Sequence, residues 1–209
     1  MALVALLAAP AATVATVVAA PDVVEAARPR SSSEEVAASA ARALDALDAW
    51  SAEGDPTRYV EYLSVRDETA EQAAAELGVD ADDLVLAWSA APPTKQVALL
   101  GALTQLGVPY RTRASEEGVG FDCSGLTTYA WGRAGVQLTR SSGDQVREAA
   151  EVDRDDADAG DLVYYPGHVM MYLGVTDAVI HSPNSGNHVE ITIVSERAAA
   201  RVIYADPLA

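Results

Sequence analysis

The sequence predicts an α+β protein in which helices come first and an antiparallel sheet follows. Up to about residue 134, apolar residues recur every three or four positions, a spacing typical of amphipathic helices. From residue 161 onwards they alternate with polar residues in short runs, which are separated by turns such as Pro166-Gly167. Because these turns are too short to contain crossover helices, neighbouring strands are expected to be antiparallel.

The first 33 residues are expected to precede the folded part. Residues 2–21 carry no charge and end in small residues, so we expect residues 1–20 to be a signal peptide or a membrane leader. No lysine or arginine precedes this apolar run, which leaves a packed or disordered alanine-rich segment as the alternative. Residues 21–33 contain Pro29 and three consecutive serines and are interpreted as a linker.

Residues 34–92 are predicted to be a helical prefix. The first helix, capped near Ser33, has one apolar stripe formed by Val36, Ala40, Leu44, Leu47 and Trp50. Two shorter helices are expected near residues 68–77 and 80–88, because Gly78 can end the first and Asp80 can cap the second. This passage faintly resembles a glycan-binding module or a helix-turn-helix. Bracing of the following domain is the favoured interpretation.

Pro92-Pro93 marks the boundary to a second domain, residues 93–209. Thr94 is expected to cap a helix that stops at Gly107, and Asp122 to cap a helix that begins with Cys123. Strands are predicted at residues 161–165, 169–173, 178–181, 189–194 and 201–204. We therefore expect helices packed on a five- to six-stranded antiparallel sheet.

The charge of the chain limits its partners. There are 31 acidic residues against 14 basic ones, the net charge is −17, and no cluster of lysine and arginine offers a binding surface for phosphate groups. We therefore expect no nucleic-acid partner. Membrane contact is expected only through residues 2–21, because an acidic surface is repelled by anionic lipids.

Cys123 is the only cysteine, and its position indicates a reactive thiol. It cannot form an intrachain disulfide. In the first turn of a helix, unpaired backbone N–H groups and the positive end of the helix dipole stabilise a thiolate. A buried, unreactive thiol is the alternative for a lone cysteine.

Two downstream histidines can complete a nucleophilic site. His168 opens one predicted strand and His181 closes the next, so a hairpin can bring both imidazoles to one edge of the sheet. His168 would accept the thiol proton, giving a thiolate–imidazolium pair, and His181 would orient His168. Exposed surface histidines are the alternative. Zinc is disfavoured because only one thiolate is available and no pair of candidate ligands is closely spaced.

Six sequence blocks carry a more specific signal. They are Leu106–Tyr110, Phe121–Leu126, Leu138–Ser142 with Gln145, Gly160–Tyr165, Gly167–Val169 with Tyr172–Gly174, and Val179–Pro183. In this order they resemble the NlpC-type bacterial cell-wall cysteine endopeptidases, which have a papain-like fold. The resemblance covers about half of the chain, and Asp-Cys-Ser-Gly and Gly-His-Val are its most specific parts.

The resemblance implies site residues. It makes Cys123 the nucleophile, His168 the base and His181 the third polar residue of a triad. It also implies that Tyr110 lines the site near the oxyanion, and that Asp122 and Ser124 bind the amino end of a stem peptide. Helix capping explains Asp122 equally well.

The implied activity is hydrolysis of an amide bond in peptidoglycan stem peptides, typically between D-glutamate and a diamino acid. The expected location is the cell envelope or the exterior, and no metal or cofactor is expected. An amidase or acyltransferase with the same triad, and a catalytically silent wall-binding protein, remain open. The possibility of a catalytically silent protein is based on residues 111–118, where the chain departs from the family pattern ahead of the nucleophile.

Overall fold

The computed structural model describes residues 31–209. The predicted leader, residues 1–20, and most of the predicted linker lie outside the described residues. Within residues 31–209 the fold is α+β, as predicted, with seven α-helices and a six-stranded antiparallel sheet. None of these helices has the length and apolar character that crossing a bilayer requires.

Four helices form the N-terminal part: α1 (Ser32–Glu53), α2 (Pro56–Leu77), α3 (Ala81–Ala90) and α4 (Pro93–Leu103). α1 begins earlier than predicted, because Ser31 Oγ accepts a hydrogen bond from the Glu34 N–H and the Ser31 N–H donates to the Glu34 carboxylate. α2 is one long helix instead of a short one, since Asp55 caps it and Pro56 occupies its first position. Thr94 does not cap α4; Pro92 holds that position and makes no side-chain hydrogen bond.

The remaining elements follow in chain order: β1 (Ser115–Glu116), β2 (Gly120–Phe121), α5 (Cys123–Arg133), α6 (Ser142–Glu148), β3 (Ala150–Val152), β4 (Leu162–Tyr165), β5 (His168–Tyr172), β6 (Ala178–His181), β7 (Glu190–Ile193), α7 (Glu196–Ala199) and β8 (Ile203–Asp206). β1 and β2 pair with each other, and the main sheet has the order β3-β8-β4-β5-β6-β7. β3 was not predicted. Consecutive strands are neighbours only from β4 to β7, because β8 lies between β3 and β4.

One apolar core joins the N-terminal helices to the sheet. It extends from Val36 in α1, through Leu126 and Trp131 in α5, to Ile180 in β6. The buried Trp88 of α3 adds a hydrogen bond to these contacts, because its indole N–H donates to the Leu173 carbonyl at 2.8 Å. The division of the chain at residues 92 and 93 stays a prediction, since the parts on either side share this core.

Lys95, the only lysine, connects α4 to the sheet by ion pairs. Its buried ammonium lies 2.7 Å from a carboxylate oxygen of Asp161 and 3.0 Å from oxygens of Asp158 and Asp206. A Cβ at Gly160 would lie 3.0 Å from the Cβ and carbonyl oxygen of Lys95, so this close approach suits glycine. Burial raises the pKa of Asp161 to about 6, although Lys95 opposes that rise.

Replacing Lys95 by methionine should lower the free energy of unfolding at pH 7 by about 3–5 kcal/mol, because Asp161 becomes a buried charge without a counterion. The loss should shrink towards pH 5. The folded-state pKa of Asp161 lies above its ordinary 3.8, so acidification protonates this carboxyl in the folded protein and removes the need for a cation.

Urea unfolding at pH 7 and pH 5 measures both effects. Arg58→Met is the matched control, because Arg58 forms an exposed ion pair with Glu61, and its loss should leave stability almost unchanged. An equal loss for Lys95→Met at both pH values would contradict this role of Asp161.

Candidate active site

Cys123 is the first residue of α5, where the sequence predicted it. Asp122 caps the helix, since its Oδ1 accepts the Gly125 N–H at 2.8 Å. The thiol residue is partly exposed. Cys123 is therefore accessible from solvent and lies beside the unpaired backbone N–H groups of a helix N-terminus.

Gly125 allows the preceding loop to pack directly on the first turn of α5. A Cβ at this position would lie 1.9 Å from the carbonyl oxygen of Ala114, a distance that no side chain can occupy. Ser115 Oγ also donates to the Gly125 carbonyl at 2.8 Å. Part of residues 111–118, the segment that departs from the family pattern, thus lies against the helix turn that carries the nucleophile.

Asp122 and Ser124 both have partners inside the protein. Arg140 donates to Asp122 Oδ2 and to Ser124 Oγ, each at 2.8 Å, and the Arg113 N–H donates to Asp122 Oδ2 at 2.7 Å. Ser124 is 6% exposed. These contacts are those of capping and loop anchoring, and binding of a stem peptide by the two residues stays a prediction.

β5 and β6 bring His168 and His181 into contact. Nε2 of His168 lies 2.8 Å from Nδ1 of His181, and the ring centroids are 5.1 Å apart. Met171 pairs with Ile180 in this register, which makes the two histidines diagonal neighbours on one face of the sheet. The predicted proximity of the two imidazoles is present.

Burial lowers the pKa of both imidazoles. For His168 the pKa falls to about 4, through burial first and the neighbouring His181 second; for His181 it falls to about 4 through burial. Each ring is therefore neutral near pH 7 and has one donor and one acceptor nitrogen. This environment favours a neutral base over the resting imidazolium that the sequence predicted.

A buried hydrogen bond connects the nucleophile segment to the histidine strand. Ser182, which follows His181, donates from Oγ to the carbonyl of Phe121, two residues before Cys123, at 2.7 Å. Within residues 31–209 the thiol makes no hydrogen bond to either imidazole. Catalytic hydrogen bonds are often long in a free enzyme and tighten when substrate binds.

Tyr110 lies beside the same segment. Its N–H donates to the Asn187 carbonyl at 2.8 Å, and it forms an isolated parallel bridge with Phe121. Its side chain is partly exposed. A role for its hydroxyl at the oxyanion stays a prediction.

Two residues that flank the histidines were not predicted from the sequence. Tyr165 pairs with His168 across β4 and β5, with ring centroids 5.4 Å apart, and Glu190 pairs with His181 across β6 and β7. We call these four residues the polar row. The two-residue turn Pro166-Gly167 could have identified Tyr165, because such a turn places its flanking residues opposite each other. No comparable signal existed for Glu190, since the loop before β7 leaves the register open.

Comparison with known proteins identifies the part of the chain that carries this site. Residues 107–205 match the family model described as NlpC/P60 family. The murein DD-endopeptidase MepH of Escherichia coli is 34% identical over 111 residues, which are 48% of this chain and 41% of MepH. A probable endopeptidase of Corynebacterium glutamicum is 34% identical over 146 residues, which are 66% of this chain and 60% of that protein.

Among solved structures, an NlpC/P60 family protein from Bacillus cereus is 31% identical, with a TM-score of 0.49. The match covers 55% of this chain and 40% of that one. The chain thus matches less than two thirds of the length of each of these relatives. Cys123, His168 and His181 all lie within the residues that match the family, and residues 107–205 of this chain form an NlpC/P60 family domain.

Proposed function

We propose that this chain is a cysteine endopeptidase that hydrolyses an amide bond in peptidoglycan stem peptides. The observation that carries the proposal is the contact between the neutral imidazoles of His168 on β5 and His181 on β6, because the residue after β6 is tied to the segment before Cys123. Relatives named as peptidoglycan endopeptidases support the substrate class. The bond between D-glutamate and a diamino acid is the proposed point of cleavage.

In the first half of the proposed reaction Cys123 is the nucleophile and His168 is the base. Nδ1 of His168, the ring nitrogen that does not face His181, accepts the thiol proton as Sγ attacks the carbonyl carbon. Backbone N–H groups at the start of α5 and the Tyr110 hydroxyl are the proposed donors to the oxyanion. The lowered pKa of His168 keeps the imidazole in the form that can accept a proton.

In the second half the imidazolium of His168 returns its proton to the leaving amine, and a thioester with Cys123 remains. The same ring then deprotonates a water molecule, which attacks the thioester carbonyl. This step releases the carboxylic acid product and restores the thiol. His181 accepts the Nε2–H of His168 throughout and keeps the ring oriented, and the steps balance without a metal or cofactor.

Asp122 and Ser124 are better supported as a scaffold than as substrate ligands. The guanidinium of Arg140 already forms an ion pair with the Asp122 carboxylate and donates a hydrogen bond to the Ser124 hydroxyl. We therefore propose that they hold the first turn of α5. A peptidoglycan substrate would place the reaction in the cell envelope or outside the cell.

A silent wall-binding protein is the second candidate. It is favoured by the missing hydrogen bond between Cys123 and His168 and by the unusual segment 111–118 against α5.

Defined muropeptides incubated with the full chain, followed by mass spectrometry of the products, test the function. The wild type should release two fragments from one amide bond, and Cys123→Ala should be slower by about a thousandfold or more, because the nucleophile is lost. His188→Ala is the control, because this exposed histidine is outside the polar row, and it should keep full activity.

No cleavage by the wild type would overturn the hydrolase proposal in favour of wall binding, and equal cleavage by Cys123→Ala would overturn the role of the thiol. Products that form only when an amine acceptor is added would indicate an acyltransferase.

A further inference from the structure

A cleft of about 300 Å³ opens at the Tyr165 end of the polar row. Its lining residues are Tyr165, Ser195, Arg197, Ala198 and Arg201. Tyr165 is shared with the proposed active site, because its ring packs against the ring of His168. The cleft therefore adjoins the proposed base.

Two of the residues that line this cleft are arginines, in a chain whose net charge is −17. Other arginines, such as Arg42 and Arg154, form ion pairs with acidic residues. Arg197 and Arg201 are exposed and form no ion pair or side-chain hydrogen bond with another residue of the described range 31–209. Their charges produce a local positive potential on a surface that otherwise repels anions.

We propose that this cleft binds a carboxylate of the stem peptide, with Arg197 and Arg201 as its ligands and Tyr165 as the wall shared with the catalytic residues. The inference rests on the proposed function. Guanidinium groups match the planar geometry of a carboxylate and bind it by charge-assisted hydrogen bonds. The carboxylates of D-glutamate and of the diamino acid are anionic groups next to the proposed scissile bond.

Binding of intact stem peptides to the full-length Cys123→Ala protein, measured by calorimetry, tests the cleft without turnover. Three synthetic tripeptide stems serve as probes: one with free carboxylates, one amidated at D-glutamate and one amidated at the diamino acid. Adding Arg197→Gln and Arg201→Gln together should raise Kd for the free stem by about tenfold or more. The stem whose amide replaces the bound carboxylate should show the same Kd with and without the arginines.

The matched control is Arg58→Gln with Arg147→Gln, which changes the net charge equally at exposed positions that do not line this cleft. It should leave every Kd unchanged. If the cleft variant binds the free stem as tightly as its parent does, or if the control weakens binding equally, the proposed cleft is overturned. Failure of the wild type to cleave muropeptides would instead overturn the proposed function and leave these affinities as an independent result.

His181 and Glu190 form the other end of the polar row. Nε2 of His181 is buried and has no hydrogen-bond partner within residues 31–209. The Oε1 atom of Glu190, its cross-strand neighbour on β7, lies 3.4 Å away, and the Glu190 side chain is 41% exposed. A small movement of this side chain would close the distance to a hydrogen bond.

The proton on His181 decides whether His168 can act as a base. For Nδ1 of His168 to accept the thiol proton, its Nε2 must carry hydrogen and donate to Nδ1 of His181. His181 must then carry its own hydrogen on Nε2, which faces Glu190. In the opposite tautomer the carboxylate would face a lone pair, which is repulsive.

We infer that Glu190 is a positioning residue that holds His181 in the Nε2–H tautomer and, through it, His168 in the base tautomer. The inference rests on the proposed role of His168. Glutamine at this position can still accept a hydrogen bond, whereas alanine cannot.

Nitrogen-15 NMR of histidine-labelled protein reads the tautomer directly and does not depend on activity. Wild-type His181 should show a protonated Nε2 and an unprotonated Nδ1. Glu190→Ala should give a mixture of tautomers and lower kcat by about tenfold with KM unchanged, and Glu190→Gln should lie closer to the wild type. The control is Glu151→Ala, which removes an exposed glutamate from β3 at the opposite edge of the sheet.

An Nδ1–H tautomer in the wild type, or an unchanged tautomer in Glu190→Ala, would overturn the role of Glu190. Inactive wild-type protein with the expected tautomers would count against the proposed function and not against this role.

Discussion

The register of β5 against β6 is the constraint on which the proposed chemistry depends. Successive residues of a strand face opposite sides of the sheet, so a slip of one residue would turn His168 and His181 away from each other. Met171 and Ile180 alternate with the histidines, pair with each other and are fully buried. Because a slip would take these apolar side chains out of the main core and place the imidazoles in it, packing of the core also determines that the two imidazoles meet.

The thiol is positioned by contacts that come from different parts of the chain. Asp122 ends the extended segment and starts α5, and the Ser182 hydroxyl ties that segment to the strand of His181. On the other side, the absence of a side chain at Gly125 lets the Ala114 loop lie directly on the first turn. A helix N-terminus thus meets a strand end with little freedom to move.

Much of this arrangement could be predicted because its determinants are local. Capping by Asp122 and the short apolar runs of β4, β5 and β6 between turn residues depend on neighbouring residues, and they were sufficient to place Cys123, His168 and His181 on their elements. The position of β8 could not be predicted, since it depends on pairing with a distant strand. The hydrogen bonds from Arg140 to Asp122 and Ser124 also join separate parts of the chain. The sequence therefore left helix capping and substrate binding as alternative roles for Asp122 and Ser124. The same holds for Glu190, whose partner is set only by the register of β7.

In the proposed reaction Cys123 forms a covalent acyl intermediate with His168 as its base. This intermediate can be detected by mixing the full chain with a stem peptide, quenching in acid within milliseconds to seconds and measuring the intact protein mass. We expect a mass increase equal to the acyl half of the peptide, located on Cys123, and much slower formation of this adduct in His168→Gln. Cleavage that proceeds with no adduct at Cys123, or an adduct that forms equally fast without His168, would contradict it.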